Sequence, residues 1–124
     1  MNGYTQEALN AALADLAESG GGTYKGRTLE KVQPTSGFAV GIGGFAMPAG
    51  NVTADVLGWA VHAVAGEFFA DHVGTWLDDG TVYFDAVRIV PDLAAAIKLG
   101  YEHGEKAIYD FENAESIALR RSAS

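Results

Sequence analysis

The chain has 124 residues, of which 48% are hydrophobic and 19% charged, and it contains no cysteine. That is one domain's length with enough apolar residues for a core, which excludes a disulfide scaffold and a wholly disordered polymer. Sixteen acidic residues against eight basic ones give a net charge of −8, a balance that repels phosphate backbones and argues against nucleic-acid binding.

The first helix is predicted over about residues 5–18, with Thr5 as N-cap and Glu7 in its first turn. Ala8, Leu9, Ala12, Leu13 and Leu16 fall on one stripe, and Gly20-Gly21-Gly22 ends the helix. Residues 23–31 lack a firm period and read as a loop or weak strand. Phe38 to Ile42 reads as a short strand and Gly43 to Gly50, with Pro48 inside, as a connection.

A second helix is expected over 53–71, capped by Thr53, with apolar residues around most of its circumference, Trp59 and Phe68 among them. Such a helix needs cover on more than one side. It also contains the most apolar stretch, Val56 to Phe69, yet His62 and Glu67 interrupt it short of the roughly 20 residues a membrane span needs. Met1 to Ser19 shows no basic stretch followed by an apolar run, so no secretion signal is read there. The absence of cysteine suits a reducing cytoplasm, and the expectation is a soluble cytosolic protein.

Thr75-Trp76-Leu77 and Val82-Tyr83-Phe84 flank Asp79-Gly80, a pair that favours a two-residue hairpin turn. Pro91 and Asp92 open a third helix to about residue 103. A strand over 106–111, a turn over 112–115 and a short returning strand over 116–119 follow. Residues 1–119 thus read as a single α+β domain and 120–124 as a flexible tail. From residue 38 the order is βαββαβ, the ferredoxin-like plan with a mostly antiparallel sheet and an additional N-terminal helix. The open face of the sheet is one place for that helix.

Motifs for chemistry are sparse. Gly41-Ile42-Gly43-Gly44 follows a strand but is separated from the next helix by residues that include Pro48, which suits a flexible or tightly turning connection better than a phosphate loop. His62, His72 and His103 lack the spacing for helical metal chelation, so no metal or cofactor is expected. No nucleophile elbow accompanies Ser36, and the chain reads as a binding protein rather than an enzyme. Asp85 and Asp110 would face each other if their strands were neighbours, which would raise one pKa and give an acid/base pair, though no nucleophile or oxyanion motif accompanies them.

The hairpin register places Trp76 and Tyr83 with Asp85 on one sheet face and Leu77, Val82 and Phe84 on the other. Both faces carry large apolar groups, so the first helix or a second chain must cover the first of them. The candidate binding residues are Trp76, Tyr83, Asp85 and Asp110, and a homodimer is the expected association.

Gly74-Thr75-Trp76, Gly80-Thr81-Val82-Tyr83-Phe84-Asp85, Ala94-Ala95-Ala96-Ile97-Lys98-Leu99-Gly100 and Glu105-Lys106-Ala107-Ile108-Tyr109-Asp110 together resemble small accessory proteins of actinobacterial phages and mobile elements. The resemblance covers about residues 74–117, with fainter matches at Gly21-Gly22-Thr23 and Ser36-Gly37-Phe38-Ala39-Val40. It implies a genetic setting, the cytoplasm of a bacterial host, and brings no site residues with it. The functional expectation is a non-enzymatic acidic binding module acting on a basic host protein; the alternative is a homodimeric binder of a small ligand, a nucleotide or metabolite, with a pocket at the sheet face.

Overall fold

The structure, a computed structural model, describes residues 3–119; the predicted tail at 120–124 lies outside them. Three helices, α1 (Gln6–Ser19), α2 (Ala54–Glu67) and α3 (Leu93–Glu102), accompany six strands: β1 (Gly21–Lys25), β2 (Phe38–Pro48), β3 (His72–Asp78), β4 (Thr81–Val90), β5 (Ala107–Asp110) and β6 (Glu115–Ala118). Each helix begins where a side-chain oxygen meets a free amide: Thr5 accepts from the Ala8 N–H at 3.1 Å, Thr53 from Val56 at 3.2 Å and Asp92 from Ala95 at 2.9 Å. Gly20, at φ 81°, closes α1 in the left-handed region.

The fold is α+β with one sheet in the order β1-β3-β4-β2-β5-β6, and every neighbouring pair is antiparallel. This strand order differs from the four-stranded plan expected from the sequence. β1 forms one edge and β6 the other. β1 gave no periodic signal because two of its five residues are glycines, and it is held by pairing with β3 and by Tyr24, buried opposite Val73. β2 is also longer than expected. It runs through the stretch taken for a connection, with a bulge between Gly41 and Gly43 that lets Phe45 and Met47 resume pairing with Phe84 and Val82.

Cross-strand register sorts the side chains onto two faces. Val73, Val82, Phe84 and Ala86 form the core side with Leu57, Ala60, Val61 and Val64 of α2, while Val40 and Ile108 pack with Ala96 of α3 in a smaller cluster. α1 lies here as well, against α2, β1 and β3, with Leu9, Ala12 and Leu16 buried. The Tyr24 hydroxyl donates to Asp15 at 2.7 Å and ties α1 to β1. α1 therefore does not cover the open face: its stripe completes the cover of β1 and β3 beside α2. α2 is covered on more than one side, by α1 and by the sheet, but Trp59 is left 60% exposed, with the edge of the Phe45 ring beside it at a centroid distance of 6.2 Å.

Candidate functional site

Asp79 at φ 48° and Gly80 at φ 76° both adopt the left-handed region, the signature of the tightest hairpin turn. This turn sets the β3–β4 register as the sequence predicts, with Trp76 opposite Tyr83 and Leu77 opposite Val82. Trp76 and Tyr83 thereby stand side by side on the face that no helix covers, with ring centroids 6.3 Å apart and planes at 47°. They are 51% and 38% exposed. Tyr109, opposite Ala39, adds a third exposed ring to the same face and packs edge-on with Phe111 at 5.5 Å.

Asp85 lies in the next cross-strand row, with Gly74 of β3 on one side and Gly44 of β2 on the other. Because neither neighbour has a side chain, the carboxylate sits in a trough with a backbone floor. Glu105, in the turn between α3 and β5, reaches into the same trough. A Cβ on Gly41 would overlap its Oε1 and stand 3.8 Å from the Asp85 Cβ. Gly104, at φ 67°, makes the reversal that aims Glu105 back over β2. Nothing local in the sequence pointed to Glu105, which meets Asp85 only through the pairing of β2 with both β4 and β5.

Burial, with the Glu105 charge adding to it, pushes Asp85 up to about 6, and burial also raises Glu105. A carboxyl whose folded pKa exceeds its unfolded value keeps its proton longer in the folded chain, so its ionisation costs stability as pH rises from about 4 to about 6, and the cost persists above. Asp85→Asn is therefore expected to stabilise the protein at pH 7.5 by on the order of 1 kcal/mol, allowing for partial solvent screening, and to bring no gain at pH 4. Urea melts of both proteins at the two pH values check this.

The structure brings Trp76, Tyr83 and Asp85 together but places Asp110 elsewhere. β2 separates β4 from β5, and Asp110 pairs with Phe38 on the core side. Its Oδ1 accepts from the Glu112 N–H at 3.0 Å and its Oδ2 from the Asn113 side chain at 2.7 Å, so it closes the β5–β6 turn. The Gly41–Gly44 run is no connection either. It forms the bulged middle of β2, where Gly43, at φ 142°, leaves room for the Phe68 ring.

A concavity of about 340 Å³ opens at the far end of the sheet, lined by Ile42, Phe68, Phe69 and His72 with Val87 and Ile89; Trp76 and Tyr83 are not part of it. Phe69 at its rim is 95% exposed at φ 50°, a costly conformation for an aromatic residue. Among the described residues, no group of three or more His, Cys, Asp or Glu side chains converges to hold a metal ion, and no helix is long and apolar enough to cross a membrane. No protein-family model, curated protein or solved structure matches the chain.

Proposed function

We propose that the chain is a non-enzymatic acidic binding module that holds a positively charged protein against the uncovered face of its sheet. In the phage or mobile-element setting implied by the resemblance, that partner is a host protein in the bacterial cytoplasm. One observation carries this reading: all three helices pack on one face, and the other keeps Trp76, Tyr83 and Tyr109 exposed around the Asp85–Glu105 pair. Exposed aromatic groups beside charges that lack a partner are the usual anchors of an interface.

Charge selects the kind of partner. At −8 overall, with two carboxylates in the centre of the face, the chain attracts basic proteins and repels nucleic acid. It also opposes a second copy on this face, because a two-fold pairing would bring two such acidic centres onto one interface. The reading treats β2 to β5 with α2 and α3 as a ferredoxin-like βαββαβ unit enlarged by β1 and β6; the inner order β3-β4-β2-β5 supports it. The concavity, which Trp76 and Tyr83 do not line, gives no support to a small-ligand pocket at the hairpin.

The test compares wild type with Trp76→Glu in paired captures from a bacterial host lysate. Wild type is expected to retain a defined set of basic proteins that salt releases, and Trp76→Glu to lose them by about tenfold or more. Equal recovery on both would overturn the reading. So would sedimentation equilibrium showing a wild-type dimer that Trp76→Glu dissociates, which would make the occupant a second copy.

A further inference from the structure

We propose that the open face recognises an arginine side chain of its partner, taking the guanidinium into the trough between the Trp76–Tyr83 pair and the carboxylates of Asp85 and Glu105. This rests on the binding reading above and adds the group that is recognised.

The trough is cleared for an incoming group. Of the backbone positions around Asp85 on this face, Gly74 and Gly44 flank it across the sheet and Gly41 lies under Glu105. A side chain on Gly41 would occupy the place of the Glu105 carboxylate, and one on Gly44 would come within 2.9 Å of Asp85 Oδ1. Three glycines thus let two carboxylates lie side by side on this face.

Among the described residues, no ion pair reaches these two carboxylates. The ion pairs among the described residues, Lys25–Glu30 and Lys31–Asp15, lie at β1 and α1, and the charge acting on Asp85 is that of Glu105, of the same sign. A cation arriving from outside relieves their repulsion, a gain made only in the complex. On the other side of Asp85, Tyr83 stands two residues away along β4, about 7 Å, with Trp76 beside it. A planar cation spans that distance, with its face on a ring and its N–H fork on the carboxylates.

Those two demands separate arginine from other cations. Guanidinium is flat, weakly hydrated and able to donate to two carboxylates at once, whereas a lysine ammonium is a compact, strongly hydrated point charge. A divalent metal ion needs six or more oxygen ligands or a converging set of His and carboxylates, and this face offers two carboxylates beside aromatic rings.

The test uses three blocked tripeptides, acetyl-Gly-Arg-Gly-amide and its lysine and citrulline counterparts, titrated into the full chain while the indole N–H of Trp76 is followed by NMR. Citrulline keeps the shape of arginine without its charge. The arginine peptide is expected to shift the Trp76 and Asp85 signals with a Kd on the order of millimolar, the lysine peptide to bind about fivefold or more weakly, and the citrulline peptide not to bind. Asp85→Asn and Glu105→Gln, each checked for an otherwise unchanged spectrum, are expected to weaken arginine binding by about tenfold. Equal shifts with arginine and lysine, equal shifts with arginine and citrulline, or an unmoved Trp76 indole would overturn the assignment. If basic proteins are still captured through Trp76 while the arginine peptide leaves it unmoved, the arginine assignment fails and the binding reading stands.

Discussion

Phe84→Ala is expected to lower the unfolding free energy by about 3–5 kcal/mol, the usual loss for a buried aromatic ring. Phe84 is fully buried at the centre of β4, its ring 5.7 Å from that of Phe45 and beneath the apolar face of α2. No neighbour is free to collapse into the space: Thr75 and Phe45 are fixed as its cross-strand partners by the sheet register. Domains of this size are stable by only about 5–15 kcal/mol, so the variant should melt far below wild type and expose the sheet. The matched control is Phe69→Ala, which removes the same ring from full exposure at the end of α2 and should cost little. Urea titrations of the three proteins decide it, and equal midpoints for Phe84→Ala and wild type would refute the assignment of the core side.

The second large effect is expected from a gain of volume. Gly44→Ala should destabilise by about 3 kcal/mol, at the upper end for overpacking, because its Cβ would overlap the backbone carbonyl of Phe84 across the β2–β4 pairing and stand 2.9 Å from Asp85 Oδ1. A backbone carbonyl cannot rotate aside as a side chain does, so β2 must shift along the strands it joins. The same shift disturbs Asp85, and capture of basic partners should fall with stability. Gly50→Ala, where nothing lies within 4 Å of an added Cβ, should change stability by no more than about 0.5 kcal/mol. Denaturant midpoints for the two alanine variants, together with capture by each, provide the measurement.

Substitutions at Phe84 and Gly44 act on opposite consequences of one register. The pairing that buries Phe84 turns Asp85 outward between two glycines, and the bulge in β2 lets Gly41 and Gly44 serve β4 while the strand's first residues pair with β5. Core and candidate site are therefore two sides of the same three strands, which is why the glycines of β2 matter to both.

The parts of the fold legible in the sequence are those set by neighbours in the chain. Thr5, Thr53 and Asp92 announce helix starts because a cap is a bond across three residues. Asp79-Gly80 announces the hairpin because both residues tolerate positive φ, and once the turn is known the period of two places Trp76 beside Tyr83 and Asp85 on their face. The α+β class follows from that order of elements. Tertiary structure alone decided the rest. β1 and the second half of β2 are rich in glycine and carry no alternating pattern, so they become strands only through partners far away in sequence. The stripe of α1 identifies an apolar face without saying what it meets, and only the packed arrangement sends it to β1 and β3 and leaves the opposite face bare. Glu105 rather than Asp110 stands beside Asp85 for the same reason. Which carboxylate stands beside Asp85 depends on strand order, and strand order is fixed by contacts summed over the whole core rather than by any local run of residues.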